Sequence, residues 1–479
     1  MGKRHILLDT RQLVDIDGNL NHRFWPAQKL DRPILEGDRP WERYGVQLYG
    51  TVLVDSERYR MWYNCARDVP ARANYCYVGY AESNDGIRWE KPDLGIESFG
   101  ETRATNLLDL YRLFPSVMID PCEADPGRRY KATGFVSHAW TRAEGGRYAT
   151  TGFYTGYSPD GLHWTDATKD PLVVDDTGGF VRDEFRQRYV GFVRPLPRYD
   201  LVDRRSLGLV TSQDLLNWSV PWTILVPDGE DDRMAQERGF HHAEFYGMAI
   251  HPYEDFLVGI VWVFWVYLPL RSSDRLGMWG IIDCQLVYSY DGHYWHRTPD
   301  RQPFISLGQR GDFDAGMIAT AVRPVDVGDE VWIYYIGSPH QHHYYTTKDW
   351  RTRDDIDYDS KMYWHEDVIS TAKIKRDRYA SFSTWDQGSL TLRHGTLDGR
   401  RLLVNARAPR GWVKAQVLDT DGAPIEGFGL QECRAFTGDS VRGEITWSGT
   451  SLADLPADRD ICLRFVLDDA DLYAYQLAD

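Results

Sequence analysis

The strongest constraint on this chain is a seven-residue phrase that occurs four times. Ser83-Asn84-Asp85-Gly86-Ile87-Arg88-Trp89 returns as Ser158-Pro159-Asp160-Gly161-Leu162-His163-Trp164. It returns again as Ser212-Gln213-Asp214-Leu215-Leu216-Asn217-Trp218 and as Ser289-Tyr290-Asp291-Gly292-His293-Tyr294-Trp295. The copies stand 75, 54 and 77 residues apart. Self-similarity on that scale marks a repeated supersecondary unit. In each copy an apolar strand runs into S-x-D, followed by Gly in the first, second and fourth copies and by Leu215 in the third; the Asp accepts backbone N–H groups and the Gly supplies positive φ. The Trp then covers the hydrophobic layer.

A second hairpin precedes each copy: 51–54 with 59–63, 116–119 with 130–133, 179–181 with 189–193, and 248–250 with 256–261. Two hairpins make a four-stranded meander, the unit of a propeller blade. A fifth first hairpin, 317–322 with 330–335, is followed by a degenerate stretch at about 369–382 without the phrase. A terminal repeat that departs from consensus is expected where a ring closes. The strand around Ile6-Leu7-Leu8 is expected to supply that closure. The fold class is therefore all-β, a five-bladed β-propeller followed by a β-sandwich.

At 479 residues the chain suggests two domains. The propeller is expected over 1–383 and an accessory sandwich over 384–479, where short alternating strands (389–392, 402–405, 413–417, 462–467) and the turn Asp419-Thr420-Asp421-Gly422 replace the blade pattern. Eighteen Trp, 29 Tyr and 18 Phe suit sugar-binding surfaces, because aromatic rings stack on the apolar faces of sugars. A net charge of −16 argues against nucleic acid or an anionic membrane as partner. No run reaches the roughly 20 apolar residues of a membrane span. The most apolar window, 258–270, reads as paired buried strands. The opening Met1-Gly2-Lys3-Arg4-His5-Ile6 has no h-region, so a cytoplasmic location is expected. Six scattered cysteines read as buried thiols. No zinc, P-loop or dinucleotide motif is present, and neither a cofactor nor a metal is expected. Homo-oligomerisation stays open.

In a propeller the innermost strand of each blade starts at one mouth of the channel, where a site forms. Three of these strands open with an acid: Asp175-Asp176 in blade three, His241-His242-Ala243-Glu244 in blade four, and Asp312-Phe313-Asp314 in blade five. The repeat places Asp176, Glu244 and Asp314 on nearly the same rung. Convergent carboxylates are what glycoside hydrolysis needs, one protonated and one ionised, and like charges held close push their pKa values apart. Glu244 is the expected proton donor. Each acid alone reads equally as a turn or cap. Around them, Glu42, Tyr49, Arg194, His242 and His342 are candidates for substrate binding; Glu42 and Arg194 have ion-pair partners as their plainer reading. The run Ser338-Pro339-His340-Gln341-His342-His343 reads as an exposed loop in preference to a metal site.

Several phrases carry a resemblance. Leu48-Tyr49-Gly50-Thr51-Val52, Tyr80-Ala81-Glu82-Ser83, Pro115-Ser116-Val117 with Asp120-Pro121, Phe245-Tyr246-Gly247-Met248, Phe313-Asp314-Ala315-Gly316-Met317-Ile318 and Thr437-Gly438-Asp439-Ser440-Val441 resemble five-bladed propeller glycosidases of glycoside hydrolase families 32, 43 and 68. They look most like bacterial family 32-like proteins. The resemblance covers nearly the whole chain and speaks to fold more than to substrate. The family 32 nucleophile motif W-M-N-D-P-N-G is absent, and Asp120-Pro121 sits at the far end of its strand. Glu432-Cys433 lies in the C-terminal part, away from the place of the family's acid motif. The usual catalytic layout therefore does not transfer. The repeated turn is also similar to the sialidase Asp-box, one residue shorter, but no arginine triad accompanies it.

The expected function is a glycosidase that removes a terminal sugar, with a furanoside among the candidates, from a small oligosaccharide or glycoside. A non-catalytic carbohydrate-binding propeller and a glycoside phosphorylase are the alternatives.

Overall fold

The computed structural model describes residues 3–43, 45–66, 76–110, 112–136, 150–172, 177–194, 198–199, 202–267, 279–342, 366–457 and 459–478. The chain divides into two compact units, one of Gln28–Val325 with Trp332–Lys373, the other of Met1–Ala27, Asp326–Val331 and Ile374–Asp479.

The first unit carries the repeats. Blade one pairs Val46–Asp55, Arg58–Ala66, Cys76–Ser83 and Leu107–Leu108 in that order. Blade two pairs Leu113–Ile119, Tyr130–Val136, Gly152–Ser158 and Thr165–Asp166, and blade three Gly178–Asp183, Arg188–Val193, Leu207–Ser212 and Trp222–Leu225. Blade four contains His242–Pro252, Leu257–Val266 and Gly280–Ser289 with short outer strands. It meets blade five (Met317–Thr320, Glu330–Ser338, Val368–Lys375) through one parallel bridge, Ile282 to Met317. The apolar window expected to be paired strands overlaps Leu257–Val266, which is paired on both sides.

The fourth strand of blade five is Gln28–Lys29, antiparallel to Ala372 and Lys373. This corrects the expectation that residues 6–8 close the ring. The strand Arg4–Ile6 pairs instead with Gln476, Tyr475 and Ala474. The 19-residue strand Asp460–Ala478 pairs with Ala380–Thr396 only as far as Leu472. Beyond Leu472 its edge is open, and Arg4–Ile6 occupies it.

The repeated turns form as their chemistry dictates. Asp85 Oδ1 accepts from the N–H groups of Ile87 and Arg88 at 2.9 and 2.8 Å, Gly86 takes φ +73°, and Trp89 Nε1 returns to the Gly86 carbonyl at 3.2 Å. The third copy holds Leu215 at φ +64° where the others have Gly; that side chain is fully buried. Each turn docks on a neighbouring blade. Trp62 of blade one donates to the Gly161 carbonyl at 2.8 Å, and Thr155 of blade two to that of Leu215 at 3.2 Å. Gly292 lies against Leu209 and Arg188 of blade three. Between blades one and two, Trp62, Tyr80, Val117, Tyr130 and Trp164 share one apolar cluster. Truncating such a side chain costs about 3–5 kcal/mol.

The second unit is one eight-stranded sheet. Its strands of 17, 18, 12 and 19 residues (Ala380–Thr396, Arg401–Leu418, Phe436–Trp447, Asp460–Ala478) are broken by bulges. Bulges bend strands, so both arms of the sheet supply one core, with Leu390, Val404, Val417, Leu463 and Phe465 buried in it. Among the described residues no helix is long and apolar enough to cross a membrane. Cys65, Cys284, Cys433 and Cys462 are buried, but Cys122 is exposed on the turn after its strand, against the expectation for it.

Candidate active site

Blade four supplies the most developed group. Glu244 is fully buried. Arg205 Nη1 donates to one of its oxygens, and His242 Nε2 lies 3.0 Å from the other. Burial pushes the carboxyl up, but the Arg205 guanidinium and His242 more than offset it, and the group is held below the usual glutamate value. The sequence reading made Glu244 a proton donor; its surroundings favour the carboxylate. An ionised carboxylate only accepts, so His242 Nε2 carries its proton. Its Nδ1 faces His241 Nδ1 at 3.0 Å, and burial, helped by His242, pulls the His241 pKa down.

Local structure explains the placement. The N–H of Phe245 donates to the Arg205 carbonyl at 3.0 Å, which fixes the two segments side by side. Arg204 clamps the Ala243 carbonyl through Nε at 2.9 Å while its Nη1 meets Asp232 at 3.1 Å. Asp232 belongs to the helix Gly229–Glu237, the one α-helix among the described residues. That helix starts with a capping box, Asp228 with Asp231. A bulge at Tyr246 then breaks the pairing with the next strand, and bulges re-aim side chains. The guanidinium groups of Arg194 and Arg205 lie 4.9 and 5.7 Å from the Tyr246 ring centre. The Tyr246 hydroxyl is 3.1 Å from His342 Nε2. Glu244, His242, Arg194 and His342 are thus assembled around two residues that sequence reasoning passed over, Arg205 and Tyr246.

Asp314 is 1% exposed and is held by blade five itself. Lys29 Nζ contacts its Oδ2 at 2.7 Å and the Tyr335 hydroxyl donates to the same oxygen at 3.0 Å. The backbone approaches closely here. A Cβ on Gly308 would stand 2.2 Å from Asp314 Oδ1, so only glycine fits.

A carboxyl that sequence reasoning missed is Asp367, also buried at 2% exposure. Gln47 Nε2 donates to it at 2.5 Å, and its carbonyl accepts from the Val46 N–H, joining blade five to blade one. Burial pushes it up to about 7, only partly relieved by hydrogen bonds from Gln47 and Ser338. No turn motif or repeat position marks it, because it opens the third strand of the degenerate blade. The segment Ser338–His342 touches Asp367 and residues close to Asp314 and Glu244 in the chain. Ser338 reaches Asp367, and its carbonyl accepts from Gly316, two residues after Asp314. His340 meets Glu366 at 3.1 Å, and His342 reaches Tyr246. Four residue steps of extended chain span at most about 14 Å.

The remaining candidates are structural neighbours. Glu42 is buried with Lys91 Nζ at 2.6 Å and the Tyr63 hydroxyl. Tyr49 packs at 4.7 Å from Phe114 and 5.8 Å from Trp262, in an aromatic plug shared by blades one, two and four. Asp176 lies outside the described residues. No group of three or more His, Cys, Asp or Glu suited to a metal ion occurs among the described residues.

No family model matches the chain, and no curated protein matches it. Among solved structures it is similar to an N-acetylgalactosamine deacetylase from F. plautii in complex with blood group B trisaccharide, at 16% identity over 76% of this chain and 97% of that one, TM-score 0.46. It is also similar to a glycosyl hydrolase from Bacteroides ovatus, at 12% identity over 74% and 95%, TM-score 0.45. A third belongs to the GH130 family of mannoside phosphorylases, which contains glycoside hydrolases that target beta-1,2 mannosidic linkages in Candida mannan, at 13% identity over 78% and 94%, TM-score 0.41.

Proposed function

We propose that this protein is a carbohydrate-active enzyme that cleaves a glycosidic bond at the propeller mouth, releasing a terminal sugar from a small oligosaccharide or glycoside. One observation carries the reading: two buried carboxyls, Asp367 and Glu244, have opposite environments. Asp367 is pushed up to about 7 by burial, and Glu244 is held ionised by Arg205 and His242. Glycoside cleavage needs that division. Asp367 then protonates the leaving oxygen, while Glu244 attacks the anomeric carbon or takes a proton from water. Asp314, fixed by Lys29 and Tyr335, orients sugar hydroxyls. Since both reacting carboxyls are almost wholly covered, a bound sugar must part the side chains above them.

A second reading has its own support. Arg194, Arg205, His242 and His342 gather around Tyr246 beside Glu244. A basic group there suits an inorganic phosphate as the attacking species, as in a glycoside phosphorylase. The test is release of nitrophenol from a panel of nitrophenyl furanosides and pyranosides, with and without phosphate. Wild type should turn over one of them, and Glu244→Gln and Asp367→Asn should each lose at least 100-fold. Release that requires phosphate and yields a sugar 1-phosphate selects the second reading. Variants as active as wild type would discard both, leaving a different site.

A further inference from the structure

A separate feature lies wholly within the second unit. Three adjacent strands break register at one level: Ala380–Thr396 between Thr384 and Gln387, Asp460–Ala478 opposite it, and Arg401–Leu418 between Arg407 and Trp412. Asp469 there takes φ +38°, a left-handed conformation that a non-glycine residue adopts only when its surroundings impose it. A Cβ on Gly411 would stand 1.7 Å from the Asp468 carbonyl oxygen, so the third bulge needs its glycine. The aligned bulges leave a shallow, open notch of about 150 Å³, smaller than the enclosed pockets that take drug-sized ligands and suited to a single ring lying at the surface.

Trp385 stands at the notch with 74% of its surface exposed. It is braced from below. The Thr384 hydroxyl donates to the Asp386 carbonyl at 3.0 Å and accepts from its N–H at 3.1 Å, and the Arg23 guanidinium lies 4.5 Å from the Trp385 ring centre. Beside the ring are two ion pairs, Arg410 with Asp469 at 2.9 Å and Arg407 with Asp471 at 3.4 Å. Each pair presents N–H donors next to a carboxylate acceptor.

We infer that this notch is a carbohydrate-binding subsite of the second unit, with a sugar ring stacked on Trp385 and its neighbouring hydroxyls bound by the Arg410–Asp469 and Arg407–Asp471 pairs. The chemistry of the group selects this ligand. A sugar ring has an apolar C–H face that matches an exposed indole, and each hydroxyl both donates and accepts, which an Arg–Asp pair answers with one group of each kind. A nucleic-acid backbone does not fit a chain of net charge −16. A protein-docking patch would offer a contiguous apolar surface, whereas this notch is ringed by charge. The sugar is either neutral or carries a uronate, whose carboxylate an arginine would take bidentately.

The experiment uses the full chain and two oligosaccharide series, neutral and uronate-bearing, read by calorimetric titration and by sedimentation. Wild type should bind members of at least one series, and Trp385→Ala, at an exposed position that folding does not need, should weaken that binding at least tenfold. Arg410→Ala should do the same, more strongly for uronates. Turnover of a nitrophenyl monosaccharide should stay at the wild-type level in both variants, which separates this site from the propeller mouth. Absence of binding to both series, or binding unchanged in Trp385→Ala, overturns the inference. Self-association of wild type that Trp385→Ala abolishes, without sugar binding, would instead make the notch a contact between copies.

Discussion

Tyr334 of blade five donates its hydroxyl to the carbonyl of Gly86 in blade one, 248 residues away, at 3.0 Å. The contact repeats, at the seam of the ring, what the other turns do within it: each recurring turn docks on the blade before it. Nearer the axis the Val322 N–H of blade five donates to the Gly50 carbonyl at 3.1 Å, and Val117 of blade two to Thr51 Oγ1 at 2.9 Å. The phrase that organises the sequence is therefore also the joint between blades.

That role separates two glycines with the same backbone demand. Gly86 and Gly292 have φ +73° and +82°. A Cβ on Gly86 would stand 2.5 Å from the Tyr334 hydroxyl and 2.8 Å from Trp332, whereas around Gly292 the nearest atom is at 3.6 Å. Gly292→Ala should cost about 1 kcal/mol from the left-handed conformation alone. Gly86→Ala should cost about 1–3 kcal/mol more, because buried atoms at the seam must move. Urea unfolding of both variants checks this, and equal losses would deny the seam its importance.

The blades were legible because each turn uses an Asp to accept backbone N–H groups and three of the four use a Gly for positive φ, and both leave a mark in the sequence. Glu244 and Asp314 could be found from their position in the repeat. Arg205 and Tyr246 could not, since an arginine after an irregular stretch and a bulged tyrosine follow no period. The helix Gly229–Glu237 had a readable signal in Asp228 and Asp231, a capping box masked by the run of acids around it. Residues 6–8 and Gln28–Lys29 both suit an opening strand. Which one closes the ring depended on an open edge more than four hundred residues away, and local pattern carries no trace of that.

Asp367 should make the protein less stable as pH rises. Its folded pKa, about 7, lies above the usual aspartate value of 3.8, so the folded state holds the proton more tightly. Stability then falls between about pH 4 and 7. Asp367→Asn removes this cost while keeping an acceptor for Gln47. The variant should match wild type near pH 4 and exceed it near pH 8, on the order of a few kcal/mol. Denaturant midpoints at both pH values test the sign; a variant less stable at pH 8 would show that the carboxylate is tolerated there.

The Lys29–Asp314 pair couples the fourth strand of blade five to the turn before its first strand. Lys29→Met should cost about 1–3 kcal/mol, because Asp314 loses its cation while remaining buried. Asp314→Asn should cost a similar amount. The double variant should lose clearly less than the sum, since neither charge is then stranded. Additive losses in a double-mutant cycle would mean that the two groups do not interact in solution.

Glu244 has the opposite sign from Asp367. Its pKa is held below the usual 4.5 despite burial, because Arg205 and His242 favour the charged form. The stability it contributes is therefore present above that value and is lost as pH falls through the lowered one. Glu244→Gln leaves the Arg205 guanidinium, 2% exposed in its side chain, without its counter-charge. Removing one partner of a buried pair costs about 3–5 kcal/mol, and the amide, which still accepts a hydrogen bond, should keep the loss near the lower figure. Near pH 7 the gap between wild type and Glu244→Gln should be widest. As pH falls below the usual glutamate value of 4.5 it should narrow, until wild type protonates and surrenders its advantage. If Glu244→Gln instead gains on wild type as pH rises from about 4 to 7, Glu244 keeps its proton in the folded protein, and the proton donor of the proposed reaction would then be Glu244 and not Asp367.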